Sequence, residues 1–328
     1  MITGPRAGYQ QIFGCGLNLF TDDELTALHV ATLDVLENGG IMVMNDEAQE
    51  IFYSHGCQVD KKTSIVKVPG YLVEEAIKSA PSKILLAGRD PKYDLCLEGT
   101  RIANVTFGVA VRVLDLETGQ TRESTLRDLV DSAKLCDAAD GVDLVLLPMT
   151  PRDIPAEVQA EYATEACFAN CTKHFMHGEV LTTDSVRRLY EMGVEVAGGK
   201  DEMRQRPPCS LGICPVSPMQ LSPECCEVII ESARLGIPCN VLSMALSGAT
   251  APMTNAGTLI VHNVEVLGGI TLSQLTKKGA SVIYGSSTTM MDMKCVTSPV
   301  GAPETAMVNA AVAKLAQYYA LPSFVAAT

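Results

Sequence analysis

From Asp143 onward, short apolar runs recur every 29 to 43 residues, with amphipathic stretches between them. The runs start at Asp143, Lys173, Cys209, Pro238, Ser281 and Leu321. The stretches between them, near residues 155–170, 183–196, 223–235, 255–277 and 303–320, read as helices. Parallel strands need a long crossover, usually a helix, and that crossover is right-handed, so this alternation predicts βαβ units around a parallel sheet. Two closures satisfy it, an open doubly wound sheet and a (β/α)8 barrel. Six strands are two short of a barrel. An open sheet could close at six, but its last strand would then lack a covering helix. The predicted fold is therefore α/β, a (β/α)8 TIM barrel that is incomplete at about six of eight strands. The run Leu321–Thr328 reads as a buried strand on which the chain stops, and termini are usually exposed, so an interruption is expected there.

The first 120 residues have a different texture. Thr21-Asp-Asp-Glu24 is a capping box, in which hydroxyl and carboxylate each satisfy the other's orphan amide. It predicts a helix to about Asn38, stopped by Gly39-Gly40. Short helices are expected near Asp46–His55 and Tyr71–Ser79, and strands at Val66–Val68, Ile84–Leu86, Asn104–Phe107 and Val111–Leu114, the last before a turn at Thr118-Gly119. A helix over Thr125–Ala139 then leads into the first apolar run. Residues 1–120 are read as an N-terminal helical and β-hairpin region and residues 121–328 as a partial TIM-barrel catalytic domain.

Charge excludes one class of partner. With 25 basic and 38 acidic residues the net charge is −13, and such a chain repels phosphate backbones, so no nucleic acid is expected. No signal core is seen and no window nears about 18 uninterrupted apolar residues, which predicts a soluble, cytoplasmic protein without membrane contact. The 12 cysteines lie among apolar neighbours and lack zinc-site spacing, so they read as reduced buried thiols and no metal is expected.

The chemistry of either closure gathers at the carboxyl ends of the strands. Lys173-His-Phe-Met-His177 puts His174 and His177 at one such end, where the extended segment is expected to turn both to the same side. Cys214-Pro-Val-Ser-Pro218, Leu242–Thr250 and Tyr284-Gly-Ser-Ser-Thr-Thr289 follow the next three, the last leading into an irregular stretch to Gly301. Each also has a plain structural reading, as satisfied core histidines, helix caps or tight turns; His262 and the methionines at 290–293 read as core. No Gly-x-Gly-x-x-Gly, P-loop or Gly-x-Ser-x-Gly is present, and no carboxylate dyad is evident. Such a mouth suits a small amine or zwitterion better than a phosphate.

Several of these segments resemble the trimethylamine:corrinoid protein methyltransferase family. They are Leu17–Thr21, Ser210-Leu-Gly-Ile-Cys-Pro-Val-Ser-Pro218, Gly236-Ile-Pro238, Leu242-Ser-Met-Ala245, Tyr284–Thr289, Pro299-Val-Gly-Ala-Pro-Glu304, Ala313–Gln317 and Leu321–Thr328. The resemblance extends over essentially the whole chain. It implies a (β/α)8 barrel that moves a methyl group from trimethylamine to the Co(I) corrinoid of a partner protein, in methylamine metabolism of the methanogenesis type. The corrinoid would stay on that partner, with no cofactor bound directly, and the full-length protein is expected to be a homo-oligomer. The pyrrolysine-containing branch places pyrrolysine immediately after the segment matching Leu321–Thr328, so the chain is expected to end at an in-frame amber codon. Carried onto this sequence, the substrate-binding candidates are His174, His177, Cys214, Ser217, Ser243, Tyr284, Ser286, Thr288 and Glu304, with Tyr284 expected to offer a π face to a methylated ammonium. Two alternatives stay open: a methyltransferase without pyrrolysine acting on a quaternary amine such as glycine betaine, and an inactive fragment or small-molecule-binding module.

Overall fold

The computed structural model describes residues 19–326. In chain order, α1 (Asp22–Asp34) runs into a π turn and is followed by β1 (Ile41–Val43), α2 (Asp46–Ser54), β2 (Gln58–Asp60), β3 (Ile65–Lys67) and α3 (Gly70–Ser79). Two hairpins follow, β4 (Lys83–Leu86) with β5 (Leu95–Glu98) and β6 (Arg112–Leu114) with β7 (Thr121–Glu123). Then come α4 (Leu126–Ala138), β8 (Leu144–Leu146), α5 (Gln159–Asn170), β9 (His174–His177), α6 (Thr183–Ala197), α7 (Lys200–Gln205) and β10 (Cys209–Ile213). The remainder is β11 (Gln220–Leu221), α8 (Pro223–Leu235), β12 (Cys239–Ser243), β13 (Leu246–Ser247), α9 (Asn255–Thr276), β14 (Val282–Ser286), β15 (Thr289–Met290), α10 (Pro303–Tyr318) and β16 (Ser323–Val325).

All six predicted runs are strands, each starting within two residues of its expected start. Local chemistry sets the helix starts. Thr21 and Glu24 close the capping box, with the Thr21 amide donating to Glu24 Oε2 at 2.8 Å. Thr125 and Asp128 close a second one at α4. Gly236, with φ +80°, ends α8 in the left-handed conformation that a side chain resists. Asn104–Phe107 is not a strand. Thr106 Oγ1 donates to the Leu146 carbonyl at 2.9 Å and accepts from the Leu146 amide at 3.0 Å, so a side chain replaces the ladder and only the isolated bridge Val105–Leu144 forms.

Two compact units emerge, and they are not divided at residue 120. In Lys83–Gly212, β9 lies between β8 and β10, both parallel to it, with Leu144 opposite His174 and Cys209 opposite Phe175. Leu129 of α4, Ala163 and Cys167 of α5, Leu147 and Phe175 form its buried cluster. The β6–β7 hairpin belongs here because Val113 packs against that cluster, as does Val109 just before it.

The second unit joins the described residues up to Ser82 with those from Ile213. Its β14 lies between β12 and β16, again parallel, with Val241 opposite Tyr284 and Ser323 opposite Tyr284 on the other side. At its centre is α9, packed by α1, α2, α3, α8, β12 and β14. The three N-terminal helices sit in this unit because they cover α9. Leu259, Val264, Val266, Leu267, Ile270 and Leu272 of α9 are buried, each worth about 1.5–3 kcal/mol of transfer free energy. Gly268 and Gly269 allow this closeness: a Cβ there would stand 2.8 Å from Ile41 Cδ1 and 2.8 Å from Val241 Cγ1 respectively. Each unit thus contributes three parallel strands flanked by helices, which makes the class α/β. No helix among the described residues is long and apolar enough to cross a membrane.

Candidate functional site

In both units the carboxyl ends of the parallel strands are polar. In the first, β9 ends on His177, followed by Gly178 and Glu179. The Glu179 amide donates to His177 Nδ1 at 3.0 Å, so the ring proton sits on Nε2 and points at the Ala160 carbonyl, 3.3 Å away. Burial pushes His177 down to about 4, despite that carbonyl and the nearby Glu161, so the ring is neutral at pH 7. Thr150 Oγ1 donates to Glu179 Oε2 at 2.5 Å, and Ser124 Oγ holds the Thr150 carbonyl at 2.6 Å. A cleft of about 440 Å³ opens here, bounded by His177, Glu179, Ala156, Ala160, Ala163 and Leu181.

His174 does not share this place. It begins β9, three residues before His177, and alternation along a strand sends residues three apart to opposite faces. Its ring bonds the Ala87 carbonyl at 3.0 Å and Ser210 Oγ at 2.9 Å, and burial pushes it down to about 4. It is a satisfied core histidine, and the expectation that both rings face one side is corrected.

In the second unit one carboxylate organises the strand ends. Glu265, in mid-α9 and fully buried, accepts from Ser217 Oγ (2.9 Å) and Ser243 Oγ (2.6 Å) on Oε2 and from the Met219 amide (2.9 Å) on Oε1. Ser243 closes β12, while Ser217 and Met219 lie in the loop after β10. Burial raises the Glu265 carboxyl above the ordinary value, and the three donors only partly offset this. One helical turn earlier, His262 Nδ1 is hydrogen-bonded to Thr288 Oγ1 at 3.2 Å, and its Nε2 is buried with no partner among the described residues. Burial pushes His262 down to about 3. Ser286 Oγ accepts the Thr288 amide at 3.1 Å, and Thr288 Oγ1 lies 3.5 Å from Ser243 Oγ.

Of the candidates, Ser217, Ser243, Ser286 and Thr288 therefore form one hydroxyl cluster around Glu265 and His262. Cys214 is exposed, though the protein crowding its thiol and, behind it, the Glu265 carboxylate push it up to about 11. Glu304 is exposed in the first turn of α10. Tyr284 is fully buried in mid-strand: its hydroxyl donates to Asn263 Oδ1 at 2.7 Å, and its ring meets His262 and Tyr319 at centroid distances of 5.3 and 5.9 Å. The expected π face is turned into the core, because the large ring fills the space that α9 leaves over β14.

Sequence reading missed Glu265 and Glu179. The signal for Glu265 was present, since it is the one carboxylate in the 22-residue α9. A lone acid inside an otherwise uncharged helix needs buried donors, and hydroxyl-rich strand ends supply them. Among the described residues, no three His, Cys, Asp or Glu side chains cluster so as to hold a metal ion.

The family described as trimethylamine methyltransferase matches residues 9–328. A trimethylamine methyltransferase of Desulfitobacterium hafniense is 51% identical over 321 residues, covering 98% of this chain and 64% of its own length. One from Methanosarcina acetivorans is 46% identical over 327 residues, covering 98% and 66%. A glycine betaine methyltransferase of Desulfitobacterium hafniense is 32% identical over 310 residues, covering 93% and 63%. The chain thus spans about two thirds of the length of these relatives. Among solved structures, the monomethylamine methyltransferase of Methanosarcina barkeri matches with a TM-score of 0.54 over 92% of this chain and 65% of that one, at 12% identity, a likeness of fold alone.

Proposed function

We propose, from the premise that this chain belongs to the trimethylamine methyltransferase family, that the protein moves a methyl group from trimethylamine to a corrinoid carried by a partner protein. The observation that carries this reading is the contrast in identity: 51% to a trimethylamine methyltransferase against 32% to a glycine betaine methyltransferase. We read the parallel strands as part of a (β/α)8 barrel, with the working face at their carboxyl ends. A cytoplasmic location and assembly into a homo-oligomer belong to the same reading.

The corrinoid, when its carrier docks, supplies a nucleophilic Co(I). We place that corrinoid on the carrier from family membership alone. The pyrrolysine expected immediately after Thr328 belongs to the family resemblance and falls outside the described residues. What the chain's own residues contribute is orientation of a small amine and exclusion of water. Glu265 ties the end of β12 to the loop after β10, so the hydroxyl cluster is held from one buried point.

The test is methyl transfer to the cob(I)alamin form of the cognate carrier, using the product of the complete gene and, in parallel, the 328-residue chain. Trimethylamine is expected to be the donor, with glycine betaine at least about a hundredfold poorer in kcat/KM, a gap of about 2.7 kcal/mol. Equal or better transfer from glycine betaine overturns the reading.

A further inference from the structure

The cleft beside β9 contains a carboxylate without a cation. Glu179 is half-buried, and among the described residues its carboxylate has one hydrogen-bond partner, Thr150 Oγ1, and no ion pair. A carboxylate that borders a cleft with one oxygen held and no cation opposite leaves its negative charge open to a positively charged ligand. The acids nearby are differently placed: Glu161 accepts from Arg188 at 2.9 Å and from Ser185 at 3.0 Å. His177 cannot supply the missing charge, because its ring is buried, takes the Glu179 amide on one nitrogen and faces a carbonyl with the other.

We infer that this cleft is a binding site for a small alkylammonium ion, with Glu179 as the residue that recognises its charge. Ala156, Ala160, Ala163 and Leu181 present methyl groups on the walls, and the Gln159 amide that also lines the cleft donates to the Pro151 carbonyl, so the surface suits N-methyl groups better than an anion. A metal ion is a poor fit, since both His177 nitrogens are engaged and one carboxylate is too few oxygen ligands for a hard cation. The carboxylate is positioned before any ligand arrives. Its backbone is tied to His177, one oxygen is tied to Thr150, and Thr150 is tied in turn to Ser124. A volume of about 440 Å³ exceeds what one trimethylammonium needs, so selection here is by charge and methyl contact and not by size. The inference rests on the methyltransferase reading only for the identity of the natural amine. The site itself follows from the cleft.

The test uses tetramethylammonium, a permanent cation without N–H, and tert-butanol, a neutral molecule of similar shape. Binding of each to the 328-residue chain is measured by saturation-transfer NMR and calorimetry. Wild type is expected to bind tetramethylammonium and to prefer it to tert-butanol. Glu179→Gln is expected to weaken the cation by about tenfold or more, the effect of removing one half-buried charge, and to leave tert-butanol unchanged. Glu179→Asp should recover part of the loss. Unchanged thermal melts of both variants, followed by circular dichroism, separate this from unfolding. Failure of wild type to bind the cation, equal binding by Glu179→Gln, or equal affinity for tert-butanol each overturns the inference. The outcomes separate from those of the preceding proposal. Transfer from trimethylamine with an unaltered KM in Glu179→Gln sinks the site and leaves the activity standing. Charge-dependent binding in a protein that prefers glycine betaine does the reverse.

Discussion

Replacing Glu265 separates two kinds of hydrogen bond. Three donors converge on this carboxylate: two serine hydroxyls and the Met219 backbone amide. A hydroxyl can turn and accept, but an amide can only donate. In Glu265→Gln the side-chain carbonyl can keep the Met219 amide while its NH2 donates to the two serine oxygens after they rotate. The expected loss is about 1 kcal/mol or less. In Glu265→Leu nothing accepts from the Met219 amide, and an orphaned buried donor costs about 1–3 kcal/mol. Ser243 also loses its strongest partner at 2.6 Å, so the total comes to about 3 kcal/mol. Urea unfolding followed by far-UV circular dichroism is the suitable assay, since the chain has no tryptophan to report by fluorescence. Similar m-values across the series would show that surface exposure on unfolding is unchanged. The pH dependence gives a second check. Because burial raises the Glu265 carboxyl, the folded state holds its proton more tightly than the unfolded chain does. The stability this gives is fully present below the ordinary glutamate value and is lost as pH rises through the raised one. Wild type should therefore exceed Glu265→Gln by more at pH 4 than at pH 8. Equal losses for Gln and Leu, or a gap that widens with pH, would refute the reasoning.

Other substitutions probe the neighbourhood. Tyr284→Phe should cost about 1–2 kcal/mol, because Asn263 Oδ1 loses its donor at 2.7 Å, and should leave amine affinity unchanged since the ring is in the core; a raised KM would return Tyr284 to the mouth. Gly285→Ala should destabilise by about 3 kcal/mol and lower soluble yield, as the added Cβ would stand 2.9 Å from Leu242 Cα and 2.9 Å from the Val241 carbonyl oxygen; a wild-type melt would contradict the strand register. Cys214, exposed with a thiol pushed up to about 11, should alkylate slowly at pH 7 and progressively faster toward pH 11, as read by peptide mass spectrometry; a rate flat above pH 8 would show an ordinary thiol.

How far the sequence reaches depends on whether a signal is local or distributed. The six strand starts and the capped helices were legible because period and capping are written in neighbouring residues. Pro223–Leu235, opened by Ser222 and closed by Gly236, is recovered to the residue. Asn104–Phe107 misled for the same reason in reverse: its composition is strand-like, but Thr106 Oγ1 takes both bonds at Leu146, and that pairing joins residues 40 apart. The division at residue 120 failed because α9 recruits α1–α3 from the other end of the chain, which no local window can register. The same limit governs the site. Ser217, Ser243, Ser286 and Thr288 could be singled out because hydroxyls recur just after the predicted strands. The acceptor shared by Ser217 and Ser243 could not, because Glu265 sits 48 residues from one and 22 from the other, inside what reads as a plain core helix. A buried charge is best sought where a buried helix is otherwise uncharged, because there its cost must be met by donors from elsewhere. Glu179 follows the opposite logic. No local pattern marks it in the sequence, and it becomes informative only once the fold shows that no cation among the described residues stands against it.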